Sequence, residues 1–265
     1  MNLHNYKPGR LILLVTAFLL LPVCSWPQAG DNTASVASSD TLQIVQSIEQ
    51  HDRLQAQALE RYHSLRHYEV EYHGFFKHII AKMDVELDYD ASSGKSFRIV
   101  SQSGSHTLCE KVIKRALDSE KDAAGDHGAH ALTPANYKFQ LLASETLDGR
   151  PTYVLQVDPV SESPYLYRGK IWVDAADGAV SKMEVQPAKN PSFWISQTLI
   201  HQTNSRFGGF WLPQQNRSET MVRIGGKAVL TIDYGPYQIL KPRSTQSVNT
   251  ADAELAKESP VTAIR

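Results

Sequence analysis

The run Tyr165-Leu-Tyr-Arg-Gly-Lys-Ile-Trp-Val-Asp174, with the turn Ala175-Ala-Asp-Gly178 and the return Ala179-Val-Ser-Lys-Met-Glu-Val185, decides the fold class. Tyr165, Tyr167, Gly169, Ile171 and Val173 recur at every second position. Leu166, Arg168, Lys170, Trp172 and Asp174 take the alternate ones. Period two is that of a half-buried strand with one wet face. Asp177-Gly178 predicts a hairpin turn, because glycine takes positive φ without steric cost. The return run sets Met183 and Val185 against Lys182 and Glu184. Further strand runs over residues 194–204, 210–223 and 227–240 are separated by Gly208-Gly209 and Gly225-Gly226. The reading is an antiparallel meander.

Working upstream, the cleanest alternation lies in residues 81–90. Ala81, Met83, Val85, Leu87 and Tyr89 face one way, and Lys82, Asp84, Glu86, Asp88 and Asp90 the other. A lipid-facing barrel strand does not carry that second face, which argues against an outer-membrane barrel. Strands are expected from His67 onward, and Phe97 continues the sheet. Met83, Val85, Leu87, Phe97, Ile171, Val173, Met183 and Val185 are therefore expected to line a concave ligand cavity. A slip of one residue would bury Asp84, Glu86 and Lys182 instead.

The period changes to helical over residues 107–124, where Leu108, Val112, Ile113 and Ala116 form one apolar stripe. That segment is the expected lid, hinged at Ser103-Gly104-Ser105 and at Gly125. Leu42, Val45, Ile48, Leu54, Ala58 and Tyr62 mark an N-terminal helix of about 20 residues. Ser39 or Asp40 is its expected cap. The fold class is thus mainly β with helices: an incomplete antiparallel β-barrel of about ten strands, covered by an N-terminal helix and an inserted helix.

Lys7 and Arg10 precede an apolar core over residues 11–21, and Ser25 is a small residue at the expected cut. Residues 1–25 therefore read as a secretory signal, 26–39 as a linker, 40–240 as the half-barrel domain and 241–265 as a disordered tail. The expected location is the periplasm, with no transmembrane span in the mature chain. Cys24 offers a lipid-anchor site, but Pro22 and Val23 stand where small residues are usual, so the anchored form is the lesser reading. Loss of Cys24 leaves Cys109 alone, and no internal disulfide can form. A formal net charge of -1 over 265 residues provides no basic field for nucleic acid.

The chain carries no Gly-x-Ser-x-Gly elbow, phosphate loop, His-Glu-x-x-His or Cys-x-x-Cys, so neither catalysis nor a cofactor or metal is expected. His63/His67 and His127/His130 are close in sequence, while His51, His73, His78 and His201 each stand alone. Glu69/Glu71 and Asp84/Glu86/Asp88 read as solvated strand faces. Phe193-Trp194-Ile195 and Phe210-Trp211-Leu212-Pro213 either plug the ends of a core or edge a ligand cavity, and the sequence leaves both open.

Arg168-Gly-Lys-Ile-Trp-Val-Asp174, Gly178-Ala-Val-Ser-Lys-Met-Glu184 and Gly209-Phe-Trp-Leu-Pro213, in this order of elements, resemble the periplasmic lipoprotein-carrier superfamily. That superfamily includes LolA- and LolB-like carriers and outer membrane lipoprotein-sorting proteins. The likeness spans residues 40–240 in architecture. It implies a half-barrel with helices over its mouth that binds lipid or lipoprotein acyl chains inside, without catalysis. The interior Arg of the dedicated carriers has no matching motif in the sequence, so no single residue carries over. The alternative on the same fold is an envelope regulatory module that senses lipid and contacts a protein partner.

Overall fold

The computed structural model describes residues 32–123, 131–190, 193–223 and 225–240, with side chains from residue 39 to 121 in the first of these. Its strands are β1 Arg61–His73, β2 His78–Asp90, β3 Gly94–Gly104, β4 Tyr137–Leu147, β5 Arg150–Pro159, β6 Tyr167–Asp174, β7 Val180–Pro187, β8 Ile195–Phe207, β9 Phe210–Val222 and β10 Lys227–Leu240. Helix α1 is Asn32–Ala58. The segments His106–Leu108, Cys109–Ile113 and Lys114–Ala123 follow one another without a break and are treated as one helix, α2.

All ten strands join one antiparallel sheet in the order β3-β2-β1-β10-β9-β8-β7-β6-β5-β4. The last strand pairs with the first, Arg61 opposite Leu240 and His73 opposite Lys227. The unclosed seam therefore falls in mid-chain, between β3 and β4. Strands consecutive in the chain are neighbours in the sheet except β3 and β4, which lie at opposite edges. α2 lies on the connection between them and packs on β1, β2 and β10.

The concave side holds three apolar clusters. α1 lays Ile44 and Ile48 on Leu155, Val157, Ile171, Val173 and Val185. α2 lays Cys109, Ile113 and Leu117 on Tyr68, Val70, Ala81, Met83, Val85 and Ile232. Leu59, Tyr62, Leu87 and Leu212 form the third. Each such buried side chain contributes roughly 1.5–3 kcal/mol.

Several boundaries differ from the sequence reading. α1 starts at Asn32, so part of the expected linker is helical and neither Ser39 nor Asp40 caps it. No Gly or Pro interrupts residues 32–58, so nothing in the sequence stops the helix there. Tyr62 belongs to β1, which starts six residues before His67. Ser64 and Arg66 occupy two of its inward positions, which breaks the apolar period that would have revealed the strand. Leu166, Trp172 and Asp174, assigned above to a wet face, are buried. Trp172 lies under the Lys182 ammonium, 4.4 Å from the ring centroid. Asp174 accepts from the backbone N–H groups of Ala176 and Asp177 and pairs with Arg150, so a polar cluster covers it.

The signal segment with Cys24, residues 26–31, Gly125, His127, His130 and the tail 241–265 lie outside the described residues. Among the described residues, no helix is long and apolar enough to cross a membrane.

Candidate functional site

The concave face is closed by two helices held in different ways. α1 is tied to the sheet at backbone level. Gln55 Nε2 donates to Trp211 O at 2.9 Å, and Trp211 N donates to Gln55 Oε1 at 2.8 Å. Gly178, at φ 70°, lies so close to α1 that a Cβ there would stand 2.5 Å from Ser47 O. The segments that carry the family resemblance, around Gly178 and Trp211, are thus the seat of α1.

α2 is held mainly by side chains. Its start is fixed: Gly104 has φ 80°, a Cβ there would stand 2.3 Å from Ile80 O, and Ser105 N donates to Ile80 O at 2.9 Å. The expected hinge at this end is therefore a tight turn against β2. Ser105 Oγ accepts from Leu108 N. Over Cys109–Ile113 the helix widens, with Lys114 N donating to Cys109 O in an i→i+5 bond. Such widened turns are uncommon and concentrate at functional segments.

The widened turn sets which residues face inward. Cys109, Ile113 and Leu117 are buried, and Leu108 and Val112 pack at the flank of the same cluster. Ala116 is only partly buried. Of the expected lid stripe, Ile113 is central, while Cys109 enters from outside it. Burial pushes the Cys109 thiol above its ordinary value.

One further turn along α2, Glu120 meets the sheet. Its carboxylate lies 2.7 Å from Arg66 Nη1 and 2.6 Å from Lys95 Nζ. Arg66 is an inward residue of β1 and 1% exposed. Its guanidinium sits 4.7 Å from the Tyr234 ring centroid and 5.7 Å from that of Phe97. Burial opposes the Arg66 charge, but Glu120, Tyr68 and Tyr234 together outweigh it and raise the group further. Burial alone would raise Glu120, yet Lys95 and Arg66 together hold it below its ordinary 4.5. Burial also pushes the nearby Tyr62 hydroxyl up to about 12. Two buried atoms here have no hydrogen-bond partner among the described residues, Ser64 Oγ and Arg66 Nε. They are two residues apart on one strand face.

Met83 and Val85 lie beneath α2, and Ile171, Val173, Val185 and Met183 lie in the cluster covered by α1. Leu87 is in the third cluster, and Phe97 packs on both the second and the third. The expected set is therefore inward-facing, but it is divided between two covers. Arg66, Ser64, Lys95 and Glu120 were not foreseen. The only local signal was Ser64-x-Arg66-x-Tyr68 in phase with Val70.

An apolar cleft of about 560 Å³ opens between α1 and the edge strand β4, lined by Leu42, Val45, Pro134, Tyr137, Phe139 and Leu141 among others. That volume is within the range of small-molecule sites. A smaller hollow of about 270 Å³ surrounds Arg150, Asp174, Arg206 and Trp211. Arg150 pairs with Asp174 and Asp177, Arg206 with Asp177, and Trp211 Nε1 donates to Asp177 at 2.9 Å.

The two aromatic pairs separate in the structure. Phe210 packs on the third cluster, whereas Phe193 and Trp194 are 73% and 56% exposed. Arg223 lies over the Phe193 ring and its N–H donates to Trp194 O. The adjoining β9–β10 turn touches Phe75 at Gly225, so Phe75, Phe76, Phe193 and Trp194 rim one end of the half-barrel.

No family model matches the chain, and no curated protein does. Solved structures are similar to it at low identity. A DUF1329 family protein from Desulfovibrio piger is 12% identical with a TM-score of 0.38, over 79% of this chain and 95% of that one. A putative outer membrane lipoprotein-sorting protein domain from Vibrio parahaemolyticus is 12% identical with a TM-score of 0.39, over 83% of this chain and 99% of that one. A LolA superfamily protein from Nitrosomonas europaea is 16% identical with a TM-score of 0.35, over 75% of this chain and 94% of that one.

Proposed function

We propose that the chain is an exported, non-enzymatic binding protein that holds an acyl chain of a lipid or lipoprotein on its concave face. α2 is the cover and lifts to admit the chain. The observation that carries this reading is the pair of orphaned polar atoms, Ser64 Oγ and Arg66 Nε, buried on the inward face of β1 beside the second and third apolar clusters. A buried donor without a partner costs about 1–3 kcal/mol. Ester or carboxyl oxygens of a lipid headgroup would accept from both atoms. Acyl methylenes would replace Cys109, Ile113 and Leu117 on Met83 and Val85, at about 0.8 kcal/mol per methylene buried. α2 is the element that moves, because α1 is bonded to the sheet backbone through Gln55.

A second reading, an envelope module that binds a protein partner, is favoured by the exposed aromatics Phe75, Phe76, Phe193 and Trp194 at one end. Native mass spectrometry of the protein purified from its own envelope separates the two. The acyl reading expects one bound lipid mass, reduced in an Arg66→Met variant that remains folded. A stoichiometric protein partner without lipid supports the second reading, and protein free of both overturns the pair.

A further inference from the structure

The β1–β2 hairpin brings together three side chains that the sequence reading kept apart. Glu71 and His73 are two residues apart on β1 and so share a face. His78 opens β2 and is the direct partner of His73 in the strand register. The four-residue turn between them is closed by Gly74 N donating to Lys77 O at 2.8 Å, which fixes the histidines side by side. Their rings lie 4.3 Å apart between centroids, at 15°. His73 Nε2 is 3.1 Å and His78 Nε2 3.4 Å from the same Glu71 oxygen. All three ligand atoms fall within 4.8 Å of one another.

We propose that Glu71, His73 and His78 form a surface site for a divalent transition ion of the zinc class. Bonds of about 2.0–2.1 Å in a tetrahedron place neighbouring ligand atoms roughly 3.3 Å apart. The two nitrogen–oxygen separations already match that edge. Binding requires the stacked rings to splay until both lone pairs meet the ion. Their side chains are about half exposed, so the surroundings leave room for that rotation. Two imidazoles and one carboxylate suit Zn²⁺, Ni²⁺ or Cu²⁺, whereas Ca²⁺ and Mg²⁺ call for more oxygens.

Neighbouring cations do not occupy the carboxylate. Lys227, opposite His73 on β10, reaches Glu219 at 2.5 Å, and Lys82 reaches Glu69 at 3.1 Å. Three protein ligands leave a fourth position open to water or to a group from outside. A bound ion would cross-link the two strands beside Phe75 and Phe76, which are 82% and 99% exposed, and so stiffen that tip.

The test is calorimetric titration of Zn²⁺ into the metal-stripped full chain, in parallel with His73→Ala, His78→Ala and Glu71→Gln. These side chains lie outside the apolar clusters, so circular dichroism should show all variants folded. The expected result is saturable binding that weakens about tenfold or more in each single variant, about 1.4 kcal/mol per tenfold. Co²⁺ added to the wild-type chain should also give the intense visible bands of a four-coordinate ion, absent in His73→Ala. Binding undiminished in the three variants, or no saturable binding in the wild type, overturns the proposal. The cluster would then be a carboxylate hydrogen-bonded by two histidines and nothing more.

Discussion

A Leu87→Lys protein should fail to fold. Leu87 is fully buried, in the cluster with Leu59, Tyr62 and Leu212. The substitution removes about 1.5–3 kcal/mol of apolar burial. It also places an ammonium among the apolar side chains of that cluster, at a further cost of several kcal/mol. A domain of this kind is stable by about 5–15 kcal/mol in total, so the sum consumes most or all of it. The neighbouring position gives the control. Asp88 points to the convex side, with a side chain 66% exposed, and meets only His63 among the described residues at 2.8 Å. Asp88→Lys should stay within about 1 kcal/mol of the wild type. Far-ultraviolet circular dichroism and thermal melting read both variants. A stable Leu87→Lys protein, or collapse of Asp88→Lys instead, would mean that β2 is paired one residue out of register.

That contrast rests on what the sequence made legible. The strict alternation in residues 81–90 and the Asp177-Gly178 turn show strand faces and connections directly, because both are local. β1 was partly hidden because two of its inward residues are polar. Arg66 lies inside only because Glu120, 54 residues away, meets it, and no local pattern encodes such a pairing. The stripe on α2 was read with a regular helical period, so the widened turn at Cys109–Ile113 moved its centre toward Cys109. His73 and His78 looked solitary because five positions separate them in sequence, and only the hairpin register sets them opposite.

Replacing Glu120 by Gln should loosen α2 without dismantling the sheet. It strips the charge from the only carboxylate that meets Arg66 among the described residues. Breaking such a buried pair costs roughly 3–5 kcal/mol, because the other charge is left inside uncompensated. The lower end applies, since the Glu120 side chain keeps 27% exposure. The same pair gives a pH dependence with a definite sign. The folded Glu120 value is depressed, so its contribution is complete above the ordinary 4.5 and is lost as pH falls through the lower folded value. Hydrogen exchange of the α2 amides, taken relative to the intrinsic rate at each pH, should therefore speed up in acid in the wild type while the β5–β6 amides stay protected. In Glu120→Gln it should be fast already at neutral pH. Equal protection of α2 in both proteins at neutral pH would show that the ion pair does not hold the helix.

Cys109 gives the most direct test of α2 as a movable cover. The thiol is 2% exposed in the closed structure and sits on the face that must leave the sheet. Its modification by a thiol reagent therefore reports lifting of the helix, provided Cys24 is absent by processing or changed to Ser. The rate should be measured with and without a saturating long-chain fatty acid, while the sheet signal in circular dichroism is followed. Modification of the free protein should be slow and should rise about tenfold or more with the fatty acid, at constant sheet signal. An unchanged rate with the fatty acid demonstrably bound would place the ligand elsewhere and make α2 a fixed part of the core.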